Sequence, residues 1–199
     1  MDYHFASMAI SHILFLQLIH EAQETGLPYA LGLKTFGIDP AQLIMGRLAS
    51  PAELLWAVEE AIACQAVAAV IAEIAGESRA VDFTVSRRLS LRAATGGTSV
   101  FMLRYGRERE ASAARLRWSV GPSVSGTVMF DARMPGLPRW QISLEKGWLK
   151  ATQTSEIMML DWTENGFQRA DSAARKGLFK TSISRSQPAA LGYRLSQAG

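Results

Sequence analysis

Two groups of residues in this sequence could do chemistry: a carboxylate at the end of an apolar run, and a stretch rich in arginine. Glu73 follows the unbroken run Val67–Ala72. The carboxyl end of a buried parallel strand is where open α/β sheets place their ligand-facing acids. A nucleotide hydrolase would put its metal-linked carboxylate there. Without a phosphate loop, the same position better suits a polar residue satisfied at the sheet rim. The partner device, a GxxxxGK[ST] phosphate loop, does not occur, and the sequence contains no Gly-Lys pair. Glu73 is therefore the catalytic candidate of a chain not expected to be an enzyme.

Every cation between positions 79 and 117 is an arginine: Arg79, Arg87, Arg88, Arg92, Arg104, Arg107, Arg109, Arg115 and Arg117. A guanidinium fork suits phosphate or carboxylate better than an ammonium does. Arg88 and Arg92 are one helical turn apart, and Tyr105 and Trp118 flank the segment with Arg107 and Arg109, where they could stack on bases. The candidate nucleic-acid or partner-binding set is Arg88, Arg92, Arg104, Tyr105, Arg107 and Arg109. A solvated helix face, answered by the acidic first third of the chain, would have the same composition. No metal site is expected: His4, His12 and His20 are eight apart, too far for an i, i+4 ligand pair, and read as surface residues. The one cysteine, Cys64, can form no internal disulfide and reads as a small buried hydrophobe. There is no GxSxG elbow.

The elements that must position these residues follow from period and caps. Ser50-Pro51-Ala52-Glu53 is a capping box with Pro at the first helical position. The helix it opens puts Leu54, Leu55, Val58, Ala61 and Ile62 on one face and runs to about Gln65. Leu43–Met45 before it and Val67–Ala72 after it read as strands, the second interior and parallel, covered on both faces. Asp82 or Thr84 opens a second helix with Val85, Leu89 and Ala93 inward, Gly96-Gly97 ends it, and Ser99–Leu103 is the next strand. Segments 113–120, 139–144 and 157–162 are expected as antiparallel additions to the sheet edge. Near the N-terminus, Ile13–Ile19 is apolar enough for a buried strand, but Phe5, Met8, Ala9, Ile13 and Leu16 also fit a helical stripe, and a helix leading into a short strand is expected.

The whole is an α/β domain over residues 1–170 with a mainly parallel sheet, followed by a basic, disordered tail over 171–199. At 48% hydrophobic and 20% charged, the 199 residues exclude a disordered or fibrous protein. The net charge of +3 conceals an acidic first third, an arginine-rich middle and a basic tail. Ile13–Ile19 is too short to span a bilayer, so neither membrane association nor a signal peptide is expected, and the cytoplasm is the expected location.

The stretches Gly26–Leu33, Phe36–Ile44 and Pro51–Glu60, followed by Ser86–Leu89, Gly96–Thr98, Ser112–Trp118 and Pro138–Trp140, resemble the ImuA family, RecA-like accessory proteins of bacterial mutagenic repair. The similarity covers roughly residues 26–165. It implies a RecA-like core and a place in the SOS response, as a non-catalytic scaffold in translesion synthesis that works with ImuB, RecA and an error-prone C-family polymerase. DNA contact and self-association are further implied partners. By similarity to RecA, Glu73 matches the acidic strand end and Arg104-Tyr105 leads into the DNA-binding loop. That loop, Gly106–Ala111, is shorter here, which argues against filament-type DNA binding. The family normally begins with a phosphate-site segment, whereas this chain starts close to the second sheet strand, so a misassigned start or a shortened gene is expected. No cofactor is then expected, ATP and magnesium belonging to the missing segment. The alternative reading is a nucleotide-dependent DNA-binding protein or residual ATPase.

Overall fold

In the computed structural model, residues 12–75, 81–105, 111–128, 131–148 and 156–170 are described. The first eleven residues, the loop with Arg107 and Arg109, and the basic tail lie outside them. The chain forms two compact units. One comprises positions up to Trp118 with the stretch from Leu144 to Ser155, and the other comprises Ser119–Ser143 with positions from Glu156 onward.

The first unit begins with β1 (His12–Leu18), α1 (Ile19–Thr25) and α2 (Ala30–Thr35), then β2 (Leu43–Leu48), α3 (Pro51–Ala63), β3 (Val67–Ala75), α4 (Phe83–Gly96) and β4 (Ser99–Tyr105). Its sheet is wholly parallel, in the order β2-β1-β3-β4. Of the expected helix leading into a short strand at the N-terminus, the part with Phe5, Met8 and Ala9 lies outside the described residues, while Ile13 and Leu16, read as the end of the helical stripe, belong to strand β1. The reason is that β1 lies inside the sheet, paired on both edges. An interior strand is apolar along its length, and such a run can be confused with a helical stripe.

Local signals set the two long helices. Ser50 Oγ accepts from the Glu53 amide at 3.3 Å, and Glu53 Oε2 reaches back to the Ala49 amide at 3.0 Å, one residue before the box predicts. Asp82 Oδ1 accepts from the Val85 amide at 2.7 Å, which settles the choice between Asp82 and Thr84. Gly97, with φ +74°, ends α4 in the left-handed conformation that glycine adopts without strain. α3 stops at Ala63, so Cys64 becomes its C-cap and is exposed, not a buried hydrophobe.

Even-numbered residues of the strands form the core with the helices. Leu16, Leu18, Val70, Ala72 and Ile74 pack with Leu54, Leu55, Val58, Ala61 and Ile62 of α3 and with Leu89 of α4. Gly46 lets Leu16 pack closely, since a Cβ there would come within 2.6 Å of Leu16 Cδ2 and force that side chain to shift. The opposite face of the sheet is less well covered than the sequence suggests. Phe101, Leu103 and Met45 on it are exposed, and Ile71 is half-buried.

The later strands are β5 (Arg117–Ser123), β6 (Thr127–Val128), β7 (Asp131–Pro135), β8 (Arg139–Lys146), β9 (Ile157–Thr163) and β10 (Gly166–Arg169). The antiparallel strands do not extend the parallel sheet. Four of them form a sheet of their own, in the order β10-β9-β8-β5, while β6 and β7 make a separate ribbon. Strand β5 starts four residues later than expected. Two α4 serines hold Ala113 instead: its amide donates to Ser86 Oγ at 2.9 Å, and its carbonyl accepts from Ser90 Oγ at 3.3 Å. In the antiparallel sheet, Arg139 bonds both oxygens of Asp161, at 2.5 and 2.7 Å, and this raises the guanidinium pKa further. The Phe167 ring packs edge-on against Trp140 and Trp162. No helix among the described residues is long and apolar enough to cross a membrane.

Candidate functional site

The carboxyl edge of the parallel sheet gathers four polar side chains. Glu73 on β3 is 4% exposed and Gln17 on β1 is 2% exposed. Parallel register sets Leu16 beside Ala72, which brings the next pair, Gln17 and Glu73, side by side. Gln17 Nε2 donates to Glu73 Oε2 and also to the Gly26 carbonyl at 3.1 Å, tying the end of α1 to the strand. Gln17 Oε1 is buried and meets no donor among the described residues.

Tyr105 completes the cluster from β4, where it is in register with Ala75. Its hydroxyl donates to Glu73. That bond, partial burial and the repulsion between carboxylate and phenolate push its pKa from the usual 10.0 up to about 12. Glu21, in the first turn of α1, serves the backbone: its Oε2 accepts from the Ala75 amide at 2.8 Å, closing the end of β3. The two acids are therefore both committed to groups of the protein itself.

Of the cationic candidates among the described residues, Arg88 and Arg92 meet on one carboxylate. Arg88 Nη2 lies 2.5 Å from Glu59 Oε1 and Arg92 Nη1 lies 2.6 Å from Glu59 Oε2, so one α3 carboxylate holds both. Arg104 is exposed and neighbours Tyr105 on β4, but successive strand residues point to opposite faces. Arg107 and Arg109 lie outside the described residues. Of the histidines, His20 is exposed, His4 lies outside the described residues, and His12 is half-buried, its Nδ1 meeting no hydrogen-bond partner among the described residues. Among the described residues no cluster of three His, Cys, Asp or Glu could hold a metal ion.

Sequence reasoning missed Gln17, Glu21 and Glu59. Gln17 does carry a signal, as the one polar residue inside the apolar run of β1. The role of Glu59 shows only when α3 and α4 lie side by side.

No family model matches the chain. Protein ImuA from each of two strains of Caulobacter vibrioides is 35% identical to it over 142 residues, covering 63% of this chain and 56% of the relative. The chain thus spans about half the length of the curated relatives it matches.

Proposed function

This chain belongs to the ImuA family, and from that premise we propose that it is a non-catalytic accessory protein of DNA-damage-induced mutagenesis. It acts in the cytoplasm as a scaffold in translesion synthesis, binding ImuB, RecA or both beside an error-prone C-family polymerase. The observation that carries the non-catalytic part is the state of Glu73. Its carboxylate is buried and bonded to Gln17 and Tyr105. A metal-linked acid needs lone pairs turned toward its ligand, and burying a carboxylate is tolerable only when such internal partners satisfy it.

The binding part is supported by surfaces. Phe101 is 55% exposed on the sheet face opposite the helices, and Trp56 is 64% exposed on α3. Exposed aromatic residues are the commonest anchors of protein interfaces. Support for DNA as the main partner is weaker, because Glu59 offsets part of the charge of Arg88 and Arg92.

The test is capture. The full chain, tagged and recovered from bacteria exposed to DNA damage, should retain ImuB, RecA or both. Recovery of neither would overturn the reading.

A further inference from the structure

Asn165 is the one asparagine in the sequence, and a glycine follows it. The pair lies in the turn between β9 and β10: Glu164 and Asn165 stand between Thr163 and Gly166, which face each other in register. Gly166, at φ +89°, takes the left-handed position that suits such a hairpin turn. The Thr163 hydroxyl ties the backbone of the turn, accepting from the Asn165 amide at 3.2 Å and donating to the Gly166 carbonyl at 2.8 Å. The Asn165 side chain stays out of these bonds. It is exposed, and among the described residues no hydrogen bond holds its carboxamide. Gly166 has no side chain to block an approach, and even a Cβ there would meet nothing nearer than Trp162 Cζ3 at 3.9 Å. Strand β10 is four residues long and lies at the edge of its sheet. An edge hairpin opens locally at little cost, which frees the Gly166 amide from the ladder.

We propose that Asn165 is a site of spontaneous deamidation through a succinimide, and that this modification loosens the β9–β10 hairpin. The Gly166 amide nitrogen gives its proton to hydroxide and attacks Asn165 Cγ. The N–Cγ bond forms, the Cγ–Nδ2 bond breaks, and the side-chain nitrogen leaves as ammonia after taking a proton from water. Water then opens the cyclic imide at either carbonyl. Opening at Cγ gives aspartate in an unaltered backbone, whereas opening at the main-chain carbonyl gives isoaspartate, with the chain routed through the side chain. The net change is one water consumed and one ammonia released. Either product sets a new carboxylate beside Glu164, and isoaspartate also adds a methylene to the backbone of a tight turn. Phe167, the residue after Gly166, packs its ring edge-on against Trp140 and Trp162, with centroids 5.5 and 4.7 Å away, so a lengthened turn disturbs that seat.

The experiment ages the full chain at neutral pH, folded in one sample and unfolded in urea in another. Mass spectrometry follows the peptide that spans Asn165, with chromatography to separate its aspartate and isoaspartate forms. In the folded chain this peptide should gain the mass of an acid over an amide at a rate within about tenfold of the unfolded one. Isoaspartate should be the main product, and the glutamines should stay unchanged. Asn165→Gln, whose longer side chain cannot close the same ring, should stay intact and serves as the reference. The aged chain, isolated by its added negative charge, should be cut by trypsin after Arg169 at least about threefold faster than the fresh chain. Fresh Asn165→Asp, which carries the charge without the added methylene, should be cut like the native chain. Retention of Asn165 in the folded chain beyond about ten times its half-life in the unfolded one would overturn the proposal. Aspartate as the sole product would do so too, since direct hydrolysis passes through no imide. Cutting after Arg169 that ageing leaves unchanged, or that Asn165→Asp speeds equally, would overturn the loosening by the lengthened turn.

Discussion

In the Glu73→Gln variant, the Tyr105 pKa should fall from about 12 toward the ordinary tyrosine value of 10.0, with partial burial keeping it above that value. The native shift comes mainly from the hydrogen bond that the phenol donates to the carboxylate, then from partial burial, and the like charge of phenolate and carboxylate adds to it; the substitution removes the first and last of these. Glutamine keeps the shape and an acceptor for Gln17 but removes the charge. An absorbance titration of the phenolate reads the shift, with Tyr105→Phe identifying which of the four tyrosines moves.

Stability should follow the same linkage. Folding raises the Tyr105 pKa, so the folded chain favours the protonated phenol. The resulting stabilisation is complete below about pH 10 and is lost as pH climbs through about 12. Across that window the native chain should lose stability more steeply than Glu73→Gln. An unchanged titration would mean that Glu73 does not hold Tyr105, and the internally satisfied site would fall with it.

Leu54→Ala should cost about 2–5 kcal/mol, the range for removing a buried leucine side chain. Leu54 is 0% exposed on the buried face of α3, packed in the core shared by β1, β3 and α4. The cavity would open between a rigid sheet and two capped helices, which limits collapse around it. Trp56→Ala, two residues away but 64% exposed, should stay within about 0.5 kcal/mol of the native chain. Urea denaturation followed by circular dichroism compares the two. Equal losses would contradict the placement of α3, with its apolar stripe on the sheet and its tryptophan outward.

The capped helices were legible in the sequence because their signals are local. Ser50, Pro51 and Glu53 lie within one turn, as do Asp82 and Val85, and Gly97 stops α4 by its own backbone freedom. Strand β3 was legible from its continuous apolar run. Strand β1 was not, since the same residues fit two periods until the sheet order places them between two neighbours. The independence of the antiparallel sheet was hidden for a similar reason: a strand pattern does not name its partner. At the site, Glu73 stood out by position, but Gln17 reaches it from a strand 56 positions earlier and Tyr105 from the neighbouring strand on the other side. Arg88 and Arg92 were recognised as a pair, while the carboxylate that joins them lies 33 residues from Arg92, on another helix.

The central claim, a scaffold that binds protein without nucleotide chemistry, is tested most directly by calorimetric titration of the purified full chain. Purified ImuB and RecA would be titrated separately in the absence of nucleotide, and ATP with magnesium in a third run. Saturable binding of at least one of the two proteins, with no binding heat from ATP, is the predicted result. Binding of neither protein, or an ATP heat that Glu73→Gln abolishes, would contradict it.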